Sequence, residues 1–134
     1  MNNNHNINYT KGEVQEIIDI IRECVNNGMY SISLNANRKE NREFIAEYNI
    51  TPEKRKKILL GIEVEDFCYS MQNEHPAFSH EILYVFSPQV LLRDVLDEEV
   101  VVDIYVKINI LENNERIIVV SFHKRNYDMD YLFR

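Results

Sequence analysis

The hydrophobic period of this chain changes at Phe67, and that change limits the fold more than any other feature. Before it, Val14, Ile17, Ile18, Ile21, Cys24 and Val25 recur at three- and four-residue intervals, which gathers them on one stripe of a helix. After it the pattern has period two, and Ile82–Ser87, Val100–Leu111 and Arg116–His123 read as strands whose side chains alternate between two faces. Strands joined by hairpins pair antiparallel. Helices followed by such a meander predict an α+β domain, with N-terminal helices packed on one face of an antiparallel sheet.

Local signals set the boundaries. The first helix is expected over Gly12–Asn27, with Thr10 as its N-cap and Gly28 as its stop, because glycine enters the left-handed region cheaply. Tyr30–Leu34 alternates as a short strand. A second helix, Asn37–Tyr48, turns Phe44 and Ile45 inward and Arg38, Lys39, Glu40, Arg42 and Glu43 outward. Thr51, Pro52 and Glu53 spell a third helix start, a hydroxyl cap followed by proline and an acid, and that helix should stop at Gly61. Glu112–Glu115 form the turn between the last two strands. Gln89–Glu99 is expected to be a polar loop or short helix. Residues 1–10, rich in Asn, read as a flexible leader, residues 11–134 as a single domain, and the aromatic tail Asn126–Arg134 as packing back on the body.

Charge is unevenly placed. The net charge is -7, yet residues 1–60 sum to +1, residues 61–103 to -9 and residues 104–134 to +1, so the acidity sits in the middle and both ends can still supply a basic surface. Cys24 and Cys68 form neither a disulfide framework nor a CxxC pair, which fits a reducing compartment. The start has no basic n-region or apolar stretch, and no segment is apolar enough to span a bilayer. A cytoplasmic location without membrane attachment is expected. With only Gly12, Gly28 and Gly61 the chain has no glycine-rich phosphate cradle and no nucleophile elbow. His75 and His80 flank Pro76, but nothing completes a ligand set of the usual spacing, so neither a metal nor a cofactor is expected.

From Ile58 onward four segments follow one another, ILLGIEVEDFCYSM (Ile58–Met71), HEILYVFSP (His80–Pro88), VDIYVKINI (Val102–Ile110) and IIVVSFHKR (Ile117–Arg125), about half of the chain. In sequence, order and spacing they resemble the MqsR family of toxin ribonucleases. It implies a RelE-like fold, metal-free cleavage of messenger RNA, and neutralisation by a cognate antitoxin protein. Of the residues regarded as catalytic in the family, the tyrosine of the YxK strand is kept as Tyr105. Tyr69 stands where the family has a lysine in the D-F-x-x-S-M segment, the family's glutamine falls near Leu83, and His123 replaces the lysine after VSF.

The residues themselves allow that chemistry. Metal-free RNA cleavage needs a base for the 2′-hydroxyl proton, an acid for the departing 5′-oxygen, and donors around the phosphorane. Period two sets Tyr105, Lys107 and Asn109 on one face, with Ile104, Val106 and Ile108 in the core. On the next strand Ile118, Val120 and Phe122 are expected inward, which leaves Ser121, His123 and Arg125 beside Tyr105 and Lys107. The candidate catalytic residues are therefore Tyr105, His123 and Tyr69, with His123 as acid or base. Lys107, Arg125 and Lys124 are the candidate RNA and phosphate ligands. The run Lys54–Lys57 is read as the wet face of a helix. The acidic stretch Asp94–Asp103 favours a rival reading, a non-catalytic binding or inhibitor module on the same fold.

Overall fold

The first helix starts where a capping box closes it. In a computed structural model describing residues 4–134, the Thr10 side chain accepts from the Glu13 N–H at 3.1 Å, and the Glu13 carboxylate accepts from the Thr10 N–H at 2.8 Å. Helix α1 then runs Lys11–Asn26, and Gly28 follows at φ 71°, a conformation that would strain a side chain. After strand β1 (Tyr30–Ile32) come α2 (Lys39–Glu47) and α3 (Pro52–Leu60). Thr51 caps α3 through the Lys54 N–H at 3.2 Å. Gly61 ends α3 at φ -85°, an ordinary right-handed value; a Cβ there would sit 3.3 Å from the Lys57 carbonyl.

The second half supplies β2 (Phe67–Gln72), β3 (Ile82–Phe86), β4 (Gln89–Arg93), β5 (Glu99–Ile110) and β6 (Ile117–Lys124). The strands form one six-stranded sheet in the order β1-β6-β5-β3-β2, with β4 also paired to β5. The fold is α+β as expected, but the sheet is mixed, because β1 runs parallel to β6. A strand that returns through two helices can enter a sheet in either direction, and the sequence carries no signal for which. The segment Gln89–Glu99, expected as a loop or short helix, is instead β4 and a tight turn that extend β5 into a long hairpin. Its acids mark the wet rim of that hairpin rather than an unstructured loop. Asn113 and Asn114 make the β5–β6 turn with φ of 65° and 56°, values asparagine tolerates.

Helices and sheet share one core. Ile18 and Ile21 of α1, Phe44 of α2 and Leu59 of α3 are buried against Ile104, Val106 and Ile108 of β5 and Ile117, Val119 and Phe122 of β6. The inward row of β6 thus departs from the expected Ile118, Val120 and Phe122. A β-bulge is the cause: Ile108 pairs with Val119 and Lys107 with Ser121, so Val120 is an extra residue. A bulge disrupts the ladder and leaves main-chain groups in need of partners. Asn41, buried on the apolar stripe of α2, supplies them. Its Nδ2 donates to the carbonyls of Val120 (3.1 Å) and Ser33 (2.9 Å), and its Oδ1 accepts from the Phe122 N–H at 2.8 Å.

Both ends of the described chain are tied to β2. Asn6 exchanges two main-chain bonds with Ser70 (2.8 and 3.0 Å), and the Leu132 N–H donates to the Phe67 carbonyl at 3.1 Å. The tail therefore packs back as expected. Residues 4–10, read as a flexible leader, instead cross the outer edge of β2; Met1–Asn3 of that leader lie outside the described residues. His5 stacks on Tyr69 with ring centroids 3.5 Å apart, and Tyr9 lies against Phe67 and Tyr84.

Replacing Asn41 by Leu strands the bulge's main-chain groups, and each buried unsatisfied group costs about 1–3 kcal/mol. We expect Asn41→Leu to lose about 3 kcal/mol in urea unfolding. Asn126→Ala, at an exposed residue, should stay within roughly 0.5 kcal/mol of the parent.

Candidate functional site

The face of the sheet opposite the helices carries a second, smaller cluster: Cys68, Tyr69, Val85 and Tyr105, with Met71, Met129 and Tyr131 against it. Alternation along β5 puts Tyr105 and Lys107 on this face, and β2 brings Tyr69 from two strands away. They open into a pocket of about 290 Å³ lined by His5, Arg38, Tyr69, Glu74, Tyr105 and Lys107, among others. Of the six candidates, Tyr69, Tyr105 and Lys107 line this pocket, and His123, Lys124 and Arg125 do not.

His123 buttresses the site. Its ring stacks on Tyr105 at 5.3 Å and 19°, its Nδ1 lies 2.7 Å from the Lys124 carbonyl, and Glu40 is 3.7 Å away. The imidazole is thus half-buried and already engaged on one nitrogen. Arg125 is committed elsewhere: its guanidinium donates to Asp103 (3.2 Å), to Ser87 Oγ (3.3 Å) and to the Tyr131 hydroxyl (3.1 Å). It ties the C-terminal tail to the β4–β5 hairpin. Lys124 pairs with Glu47 of α2 at 2.9 Å. Period two ends with the strand, so the face assigned to Arg125 does not extend to it.

Sequence reasoning missed three ionisable residues of the pocket, His5, Arg38 and Glu74. His5 was hidden in an Asn-rich leader that looks featureless. Arg38, read as an outward helix residue, precedes α2 with φ -123° and ψ 43° and turns into the pocket. Nothing in the sequence signals this, because the expected helix already included Arg38, whereas α2 begins only at Lys39. Glu74 was masked by a loop with no pattern.

Burial sets the protonation states. Desolvation raises the Tyr105 phenol above its ordinary value, with a hydrogen bond from Tyr69 opposing it. Tyr69 is raised too, by desolvation and then by its hydrogen bonds to Tyr105 and Tyr127. Both remain neutral at neutral pH and act as hydrogen-bond donors, not phenolates. Lys107 is lowered by desolvation and then by the charge of Arg38, with Glu74 opposing. His5 is lowered by burial, which favours the neutral, proton-accepting imidazole. Among the described residues no group of three or more His, Cys, Asp or Glu side chains could hold a metal ion.

No family model matches the chain, and neither a curated protein nor a solved structure was found to match it. No helix among the described residues is long and apolar enough to cross a membrane.

A lysine whose folded pKa is lowered binds protons more weakly folded than unfolded, so its burial cost is full below the folded pKa and fades as pH rises towards 10.5. Lys107→Met should therefore raise the urea midpoint at pH 7, and its advantage over the parent should shrink as the pH approaches that of an ordinary lysine.

Proposed function

We propose that the chain is a metal-independent endoribonuclease that cleaves single-stranded messenger RNA, a toxin of RelE-like fold and MqsR type, cytoplasmic and neutralised by a cognate antitoxin. The observation that carries this reading is the convergence of an imidazole, two neutral phenols and two cations on one pocket: His5, Tyr69, Tyr105, Arg38 and Lys107. Single-stranded RNA suits such a site, because splayed bases stack on aromatic rings while cations meet the phosphate.

In this mechanism neutral His5 accepts the proton of the 2′-hydroxyl, whose oxygen attacks the adjacent phosphorus. The 5′-oxygen leaves with a proton from Lys107, which burial has made a readier donor, and a 2′,3′-cyclic phosphate remains. Arg38 neutralises the phosphorane by its planar fork, and the Tyr105 hydroxyl donates to a non-bridging oxygen. His123 acts through Tyr105 as a positioning residue. His5 thus takes the role that the sequence suggested for His123.

Two charges fix the pH profile. Protonation removes the base, so kcat/KM should rise from acid pH through a value below 6.5, and it should fall again below 10.5 as Lys107 loses its proton. With EDTA present and a mixed RNA substrate, His5→Ala and Lys107→Ala should each lose about 10²–10⁴-fold in cleavage rate, and Tyr105→Phe should also lose rate. His5→Ala should in addition lose the acid limb. Absence of cleavage, or parental rates and profile in all three variants, contradicts the reading. The rival binding module makes a different prediction for cells: expression in bacteria should not arrest growth.

A further inference from the structure

Strand β5 is longer than the strand that flanks it. On one side residues 99–103 pair with β4. On the other, the β6 ladder begins at Ile104 and Lys124, and the bond from the Arg125 N–H to the Asp103 carbonyl at 3.0 Å is the last in line. Main-chain groups of alternate residues point to the same edge, so those of Val101 and Glu99 face the same way as the Asp103 carbonyl. No strand among the described residues pairs with them there. An unpaired edge is a template for an incoming strand, and most proteins blunt it.

This edge is not blunted by cover. Val95, Leu96 and Val101 are 79%, 74% and 69% exposed, and Leu91, the register partner of Val101, is 52% exposed. Single exposed apolar residues are ordinary, but a contiguous apolar tip is unusual for a free surface. Beside it lies a groove of about 600 Å³ between the hairpin and the segment after β6, lined by Tyr48, Val95, Leu96, Val101, Lys124 and Tyr127, among others. It shares only Tyr127 with the Tyr69 pocket.

Charge selects the occupant. Arg93 is the one cation between residues 89 and 103, against Asp94, Asp97, Glu98, Glu99 and Asp103, and Asp128 lines the opposite wall. The cations nearby are committed: Arg93 to Asp97 and Glu99, Lys124 to Glu47, and Arg125 to Asp103. An acidic rim repels RNA and a second acidic hairpin alike. We propose that the free edge of β5 at Glu99–Val101 is a docking site for an extended, basic segment of a partner protein, which adds as a strand in line with β6. Its main chain pairs with Val101, its apolar side chains meet Val101, Val95 and Leu96, and its lysines or arginines face Glu98 and Asp128. The site is separate from the RNA reading and stands or falls independently of it.

The test uses three labelled nine-residue peptides with the full chain: alternating valine and lysine, the same with a central proline, and alternating valine and glutamate. Fluorescence polarisation should show saturable binding of the first and none of the others. Two variants, Val101→Pro, which removes the edge N–H, and the double charge reversal Glu98→Lys with Asp128→Lys, should each weaken that binding by about tenfold or more. The charge reversal lies at exposed residues and keeps the test decisive if the proline variant fails to fold by circular dichroism. Equal binding of the proline-broken peptide would reveal a mere polyelectrolyte effect and overturn the proposal. Parental affinity in the charge-reversed chain, no binding of the valine–lysine peptide, or self-association through this edge in sedimentation would overturn it too.

Discussion

The register between β5 and β6 depends on one buried amide. Without an extra residue at Val120, a strand with Ile117 and Val119 inward would continue with Ser121 and His123 inward and drive Phe122 outward. The bulge resets the alternation, so that Ile117, Val119 and Phe122 all reach the core while Ser121 and His123 turn to the Tyr105 face. Asn41 makes this arrangement affordable by satisfying the Val120 carbonyl and the Phe122 N–H. It also binds the Ser33 carbonyl just after β1, so one side chain fastens α2, the end of β1 and the bulge together. Val120 itself is turned towards the pocket wall, a common consequence of a bulge beside a site.

That registered sheet gives the pocket its chemistry. Tyr105 and Lys107 stand on a central strand rather than a loop, and Tyr69 reaches them from β2 across β3. Rings stacked on both outer sides, His5 on Tyr69 and His123 on Tyr105, hold the phenols in place. Desolvation shifts His5, Tyr69, Tyr105 and Lys107 each in the direction of neutrality. A lysine kept half-buried near an arginine opposes stability, and such arrangements are characteristic of sites shaped for binding or proton transfer. Oppositely, the acidic hairpin gathers charge away from the pocket, which leaves the pocket cationic in a chain of net charge -7.

Much of this was legible in the residues. Helical stripes and caps place α1 and α3 to within a residue or two, since Thr10 and Thr51 cap as their side chains dictate. The two-residue period identifies β3, β5 and β6, and the pairing of Tyr105 with Lys107 on one face follows from it. Other features depend on contacts between distant segments. Asn41 is visible in hindsight as a polar residue on the apolar stripe with Phe44, but its two partners at the bulge are 79 and 81 positions away. His5 has no periodic context, because it is placed by a bridge from Asn6 to Ser70. The charges of Gln89–Glu99 suggested a loop; Val90 and Leu92, facing Val102 and Val100 across the hairpin, carried the weaker strand signal. Arg125 looked like a phosphate ligand because cations near a suspected site invite that role, whereas Asp103 and Tyr131 already occupy it.

We propose that the Tyr69–Tyr105–Lys107 pocket grips single-stranded RNA. Nuclear magnetic resonance of the chain with a 2′-O-methyl oligonucleotide, which lacks the attacking hydroxyl, measures this most directly. Saturable shifts are expected in the ring signals of His5, Tyr69 and Tyr105, with His75 and His80 unmoved. Shifts confined to those last two, or to Asp94–Val101, or none at all at saturating oligonucleotide, would contradict it.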